Sequence, residues 1–280
     1  VTAIRMATLN AAECFDLKDR GAIAPGYRGD VVLLDDLKDF HVNRVFVEGA
    51  LVAEEGKYLP EIKKCDISSV KGSVIVKDFS KEKFKMNLKS NKVNVIKILP
   101  GGVVTAKDTA EIELDANGEF VRNPGVDLVK VAVVERHQGT GNVACGFLKG
   151  YGIKEGAVAL SVAHDSHNII VVGVNDEEME FAVNSLIEQE GGIVLVKEGK
   201  VIESMPMPIA GLMSDQSGEW VDQKLTDIHE KAYEELGICG DVEPVMTLCF
   251  MSLAVIPEIK LTDMGLFDVT TFSFIPVEVE

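Results

Sequence analysis

Cysteine is scarce and scattered in this sequence. The five cysteines, Cys14, Cys65, Cys145, Cys239 and Cys249, are odd in number and never form a C-x-x-C pair. A disulfide framework and a thiolate zinc site are therefore disfavoured. A reducing cytoplasm is the expected compartment.

Long apolar runs and basic stretches are also missing. No run approaches the roughly 18 residues that span a bilayer, and the chain does not open with a basic region followed by an apolar one. It contains 28 Lys and Arg against 45 Asp and Glu, a formal charge of −17 at pH 7. Because such acidity repels phosphate groups, we expect neither nucleic acid nor a membrane among the partners.

Three common active-site signatures are absent: a P-loop, a strand-to-helix Gly-x-Gly-x-x-Gly and a Gly-x-Ser-x-Gly elbow. What is present is a chain of 280 residues with 46% hydrophobic residues. That length and composition predict a folded globular protein of about two domains.

The first 60 residues predict one helix and a few strands. Residues 2–17 have the spacing of an amphipathic helix, with one face formed by Ile4, Ala7, Ala11 and Phe15. Residues 30–35 predict a buried strand, and 42–47 and 50–53 predict a hairpin about Glu48-Gly49. These elements are too few to close a core, so we expect this part to be poorly ordered or covered by a partner. The chain also starts directly in the helical pattern, which favours a cut from a longer polypeptide.

A weakly periodic, Lys- and Ser-rich stretch places a domain boundary near residue 65. Beyond it, apolar runs predict strands at 93–99, 103–106, 128–135, 157–163, 169–174, 193–197 and 200–203. Helices are predicted at 176–190, with Asn175 and Glu178 in capping-box relation, and at 217–236. Because strands and helices mix without strict alternation, the predicted class is α/β, in the mixed α+β sense.

The sequence His164-Asp165-Ser166-His167-Asn168 lies between two predicted strands. Imidazoles and a carboxylate at one sheet edge can hold a metal or move a proton, with Asp165 fixing a neighbouring tautomer. The alternative is a polar turn in which Asp165 and Asn168 bond the local backbone. The residues leave the two interpretations about equally supported.

Two further segments have a functional and a structural interpretation. Glu135-Arg136-His137 follows a strand, where Arg136 could orient a substrate or brace the first cluster, but spacing favours a surface ion pair. The apolar segment 205–215, with Pro206 and Pro208, could line a ligand mouth; a buried connector is the favoured interpretation.

Several segments resemble one family. Residues 6–13, Met-Ala-Thr-Leu-Asn-Ala-Ala-Glu, and the segment 21–34 with Pro25-Gly26-Tyr27-Arg28-Gly29-Asp30 resemble the end of an amidohydrolase-superfamily enzyme. Segments 161–173, 206–214 and 259–268, the last reading Ile-Lys-Leu-Thr-Asp-Met-Gly-Leu-Phe-Asp, look like the C-terminal region of the adenine deaminase family. The resemblance covers nearly the whole chain, with the motifs in the family's order.

The resemblance implies a particular domain organisation. Residues 1–20 would be the last helix of a truncated (β/α)₈ barrel, 21–64 part of a small β-sandwich, and 65–280 a C-terminal α/β domain. For the complete enzyme it implies cytoplasmic purine salvage, by hydrolysis of adenine to hypoxanthine and ammonia at a divalent metal, Mn or Fe.

The family's metal-binding H-x-H is absent, since the only histidines are His41, His137, His164, His167 and His229. We therefore expect no metal in this chain and no activity from it alone. The implied partners are adenine, the missing N-terminal barrel half and, as an open possibility, further copies of the chain.

No residue of this segment is firmly assigned to catalysis. The catalytic candidates are His164, Asp165 and His167; the candidates for pocket or support are Glu135, Arg136, Ser166 and Asn168. The alternative function is a non-catalytic ligand-binding or dimerisation domain.

Overall fold

A computed structural model describes residues 1–279. The chain divides into two compact units between Asp66 and Ile67. In the described residues, no helix has the length and hydropathy needed to cross a membrane.

The first unit opens with an interrupted helix. Helix α1 (Thr2–Arg5) and helix α2 (Ala11–Cys14) flank a π-helical turn, Met6–Asn10. The prediction of one α-helix over 2–17 is wrong in its length and in its face, because a π-turn widens the helix and shifts every later side chain around the axis. Phe15, predicted to face inward, is 76% exposed, and Ala12 is buried instead.

A four-stranded antiparallel sheet completes the first unit. Its order is β1-β2-β3-β4, with bounds Val31–Leu34, Val42–Val47, Ala50–Glu54 and Lys57–Tyr58. The β2–β3 hairpin is confirmed: Glu48 and Gly49 both have positive φ, as a two-residue type I′ turn requires. The prediction of a buried strand at 30–35 is wrong. As an edge strand that pairs only with β2, β1 leaves Val32 54% exposed.

The second unit contains a mixed eight-stranded sheet with helices on both faces. Its strand order is β14-β13-β11-β12-β9-β10-β5-β6, and every pair is antiparallel except β10 with β5. In chain order these strands are β5 (Lys92–Ile98), β6 (Thr105–Glu111), β9 (Leu128–Val134), β10 (Val143–Lys149), β11 (Ala157–Leu160), β12 (Ile169–Gly173), β13 (Gly192–Lys197) and β14 (Lys200–Pro206). The remaining strands are β7 (Glu113–Leu114), β8 (Phe120–Val121), β15 (Ile259–Thr262), β16 (Gly265–Asp268) and β17 (Ser273–Phe274).

Alternate side chains of the central strands enter two different cores. Val131 and Val133 of β9 pack in the core that includes helix α4 (Gly218–Glu234), helix α5 (Pro244–Cys249) and the β15–β16 hairpin. Ala132 and Val134 face the opposite core, against helix α3 (Asp176–Glu188). Strands buried on both faces need apolar residues at nearly every position. Strand β12 is accordingly apolar throughout, and β9 is interrupted only by Lys130, which pairs with Asp176.

Helix α3 begins as the sequence predicts, and it ends at Glu188 rather than Glu190. The side-chain oxygen of Asn175 accepts a hydrogen bond from the N–H of Glu178 at 2.8 Å. This is the N-cap hydrogen bond of the helix. After the helix, Gly191 and Gly192 both have positive φ, where a residue with a Cβ would be strained.

The elements that the sequence did not reveal have weak local patterns. Strand β10 contains Gly146, which lies against Leu261 and Leu266 of the β15–β16 hairpin. Strand β6 is a polar edge strand over 105–111 rather than 103–106. Strand β11 ends at Leu160, not 163, so the connection to β12 is longer than predicted.

We predict that the first unit opens at far lower free energy than the second. Within residues 1–66 the only buried apolar residue is Ala12, whereas β9 of the second unit is buried throughout. Local opening is easiest where few apolar contacts are lost. Native-state hydrogen exchange of this chain should show β2 and β3 amides exchanging much faster than those of β9 and β12. Equal protection in both units would contradict this prediction.

Candidate functional site

Two loops leave the eight-stranded sheet side by side at one edge. Val134, the last residue of β9, is paired with Val143 of β10 on one side and with Ile169 of β12 on the other. The loop 135–142 and the turn-containing connection 161–168 are therefore neighbours. The sheet topology thus brings the two polar clusters of the sequence together.

The Glu135 carboxylate organises the first loop. It accepts the backbone N–H groups of His137, Gln138 and Thr140 and the hydroxyl of Thr140. Burial by itself would raise the pKa of Glu135, but these four donors outweigh it and hold the pKa at about 2. Glu135 is thus an ionised structural group, not an acid that would deliver a proton near neutral pH.

Arg136 is buried, and the favoured interpretation of a surface ion pair is wrong. Its side chain is 1% exposed and donates to two backbone carbonyls, from Nε to His167 and from Nη2 to Ala210. Burial lowers the pKa of Arg136, with the charge of Glu135 acting in the opposite direction. The alternative considered from sequence, that Arg136 braces the first cluster, is the one that the contacts support.

Hydrogen bonds to backbone groups hold the turn from His164 to Asn168. His167 has a φ of 52°, a left-handed conformation in which histidine is more common than most residues. Its N–H donates to the carbonyl of Ala163. The carbonyl of Ser166 lies 2.7 Å from Nε2 of His137, so residues of the first loop hold two successive carbonyls of the turn.

The rings of His164 and His167 are packed together in the turn. Their rings lie 5.5 Å apart, edge to face, and the His164 ring also packs on Phe250 at 4.8 Å. In the described part of the chain, Nδ1 of His167 is buried and has no hydrogen-bond partner. Burial, followed by the charges of His164 and Arg136, lowers the pKa of His167, so this imidazole is neutral at pH 7.

Asp165 and Ser166 are exposed at the tip of the turn. Within residues 1–279 no hydrogen bond of the Asp165 carboxylate is found, and it acts on His167 only through its charge, which favours the protonated ring. The expectation that Asp165 fixes a neighbouring tautomer by hydrogen bonding is therefore wrong in this structure, because the carboxylate faces solvent.

Asn168 and Asp263 connect the turn to a third segment, which sequence reasoning did not single out. Asn168 is 4% exposed; its Oδ1 accepts the N–H of Arg136 at 3.3 Å, and its Nδ2 donates to Oδ1 of Asp263 at 3.2 Å. Asp263 lies at the tip of the β15–β16 hairpin and also accepts Nδ2 of Asn142. In the sequence, the only indication of a role for Asp263 was its position as a polar residue within the segment 259–268.

The segment 205–215 is a connector packed on the same arginine. Gly211 has a φ of 71°, and an added Cβ there would lie 2.7 Å from Nη1 of Arg136. The carbonyl of Gly211 accepts the Ser161 hydroxyl at 2.6 Å. The glycine is therefore required both by its backbone conformation and by the close approach of the guanidinium.

A metal does not fit the described residues. Among residues 1–279, no group of three or more His, Cys, Asp or Glu side chains converges closely enough to hold an ion. Two clefts, of about 400 Å³ and 410 Å³, lie elsewhere, one beside the loop 98–103 and one beside the start of α3. Neither of these two clefts is lined by a residue of the 164–168 turn.

Comparison with known proteins identifies the family of this chain. The Adenine deaminase C-terminal domain model matches residues 102–273, and the Amidohydrolase family model matches residues 1–52. This chain therefore belongs to the adenine deaminase C-terminal domain family.

Individual relatives match over nearly the whole chain. An adenine deaminase 2 of Desulfotalea psychrophila is 66% identical over 278 residues, covering 99% of this chain and 48% of that protein. Adenine deaminases of Ligilactobacillus salivarius and Nitratidesulfovibrio vulgaris are 48% and 47% identical, with the same 48% share of each relative covered. The chain thus spans about half the length of the curated relatives it matches.

We predict that Gly211→Ala destabilises the protein more than Gly199→Ala does. Both glycines have positive φ, but an added Cβ at Gly199 meets nothing within 4 Å, whereas at Gly211 it meets the guanidinium of Arg136. The backbone strain common to both is about 1–2 kcal/mol, and displacing the buried, hydrogen-bonded guanidinium adds roughly 1–3 kcal/mol. Urea unfolding of both variants measures the difference; equal losses would contradict the close packing.

Proposed function

We propose that this chain is the C-terminal part of a cytoplasmic purine-salvage enzyme that hydrolyses adenine to hypoxanthine and ammonia. The observation that carries the proposal is the 66% identity with an adenine deaminase 2 across 278 residues. The same match covers less than half of that relative, so the active polypeptide in this proposal includes a further amidohydrolase portion. Adenine and that portion are the partners we propose, together with further copies of the chain.

The proposed enzyme uses a divalent metal, Mn or Fe, whose ligands lie outside this chain. The metal's chemistry would be the activation of water for attack on the purine. The described residues do not fit a metal, so the contribution of this chain is a different one. It holds polar side chains of the 164–168 turn at one edge of a rigid sheet.

We further propose that this turn faces the adenine pocket of the complete enzyme. His164, Asp165 and His167 are the catalytic candidates, and Glu135, Arg136, Ser166 and Asn168 support them. Replacing the amine of adenine by oxygen requires a proton to reach the departing nitrogen. In this proposal the ring of His167 exchanges that proton, because its Nδ1, which is buried in this chain, has no hydrogen-bond partner among the described residues and is not committed to a structural bond.

The proposal is tested by joining this chain to the part of the Desulfotalea psychrophila relative that the match does not cover. We expect that polypeptide, with added Mn²⁺ or Fe²⁺, to form hypoxanthine from adenine at about 1 per second or faster. The chain alone should form none at a comparable rate. Turnover by the chain alone would contradict the proposal that the metal ligands lie outside this chain. A folded, inactive joined polypeptide would favour the alternative, a non-catalytic ligand-binding or dimerisation domain.

In the same polypeptide, His164→Asn or His167→Asn should lower kcat/KM at least tenfold, or about 1.4 kcal/mol of transition-state stabilisation. The melting temperature should change little, because asparagine also suits a turn. His229→Asn is the matched control, since His229 lies on α4 and contacts Glu243 rather than the turn. Unchanged kinetics in both turn variants would make the cluster a purely structural turn.

A further inference from the structure

Asp263 occupies an unusual position in the network around the turn. It is half-buried at the tip of the β15–β16 hairpin, and its two carboxylate oxygens accept side-chain amides from two different loops. One donor, Asn142, belongs to the loop after β9. The other, Asn168, is the last residue of the turn and follows His167 directly.

Asn168 transmits the position of Asp263 to the turn. Its side-chain amide makes two hydrogen bonds: the oxygen accepts from the N–H of Arg136, and the nitrogen donates to the carboxylate of Asp263. These partners allow one amide orientation only, because a flipped amide would place donor against donor and acceptor against acceptor. Asp263 therefore sets the orientation of Asn168, and with it the backbone that leaves His167.

His167 depends on its backbone for its placement. Its carbonyl accepts from Nε of Arg136 and its N–H donates to Ala163, while Nδ1 of its ring has no hydrogen-bond partner in the described residues. Apart from its edge-to-face contact with His164, the ring follows the movement of its backbone. Loss of the Asp263–Asn168 bond is therefore transmitted directly to the imidazole.

We propose that Asp263 is a positioning residue for the deamination reaction, acting through Asn168 on His167. The inference rests on the proposed function. It adds a third chain segment, 95 residues from Asn168 in sequence, to the two loops that contain the predicted site residues. Asp263 is a positioning residue and not a catalytic one, because both of its oxygens are engaged by amides.

An aspartate is required at this position for a chemical reason. Two amide donors converge on one side chain, and a carboxylate offers acceptors on both oxygens. Asparagine has nearly the same shape but keeps one acceptor, which can turn toward Asn168 and preserve that bond. Asp263→Leu is close in size and has no acceptor, so it breaks both bonds.

The experiment compares Asp263→Leu with Asp268→Asn. Asp268 lies on the same hairpin, where it accepts hydrogen bonds from Lys107 and Thr270 and not from the turn. Asp268→Asn should lower the stability of the hairpin and leave the Asp263–Asn168 bond in place. If Asp263→Leu does not fold, Asp263→Ala is measured in its place, since it removes the same two acceptors.

The first measurement is an NMR titration of the His167 ring in this chain. The charged or titratable groups that act on this ring are His164, Arg136, Asp165 and His137, and Asp263 is not among them. A loosened turn admits water, so Asp263→Leu should raise the pKa of His167 toward its ordinary value. Asp268→Asn should leave the titration unchanged.

The second measurement is adenine deamination by the joined polypeptide. Asp263→Leu should lower kcat about tenfold, as expected for a displaced reacting group, with KM changed less than about twofold; Asp268→Asn should match the unmodified protein. An unmodified polypeptide that does not deaminate adenine would refute the proposed function, and the titration would still decide whether Asp263 positions His167. An unchanged His167 titration, or unchanged kinetics in an active polypeptide, would overturn the proposal.

Discussion

The rest of the site depends on a buried cation, the Arg136 guanidinium, which makes no carboxylate hydrogen bond among residues 1–279 and whose Nη1 has no partner there. Removing a guanidinium from water costs several kcal/mol unless its donors find acceptors. In this protein the acceptors of Arg136 are carbonyls from two distant segments, at His167 and Ala210. Because the charge is stable only when both segments are in place, one side chain fixes the turn and the connector relative to the first loop.

The surrounding residues fit this constraint. Gly211 lacks the Cβ that would overlap the guanidinium. Ser161 joins the same connector to the strand edge by accepting the N–H of Gly192 and donating to Gly211. Glu135 closes the loop from which Arg136 projects and supplies a neighbouring negative charge. The site is thus rigid in its backbone, while the rings of His164 and His167 extend from it.

The sequence predicted the elements with strong local signals. Largely apolar runs located β9 and β12, the Asn175 cap located the start of α3, and Gly191-Gly192 marked its end approximately. Strand β10 was missed because Gly146 interrupts its apolar pattern. The π-turn in the first helix was missed because its effect is a change of face, which residue spacing for an α-helix does not encode.

The site was predictable in part for the same reasons. The His164–Asn168 turn was found because five polar residues between two apolar runs mark a sheet edge. The burial of Arg136 could not be predicted, since an arginine beside a glutamate looks the same in sequence whether it is exposed to water or buried under a turn. Asp263 contributes through a contact 95 residues away, which no spacing rule reveals.

Hydrogen exchange in Arg136→Lys tests the central role of this guanidinium most directly. Lysine keeps the charge but lacks the planar fork that reaches two carbonyls. Protection of the His167 amide in the turn and of the Leu212 amide in the connector should fall together, while the Lys154 amide, bonded to Leu236, should be unaffected. Loss of protection in only one of the two segments, or in neither, would contradict the account.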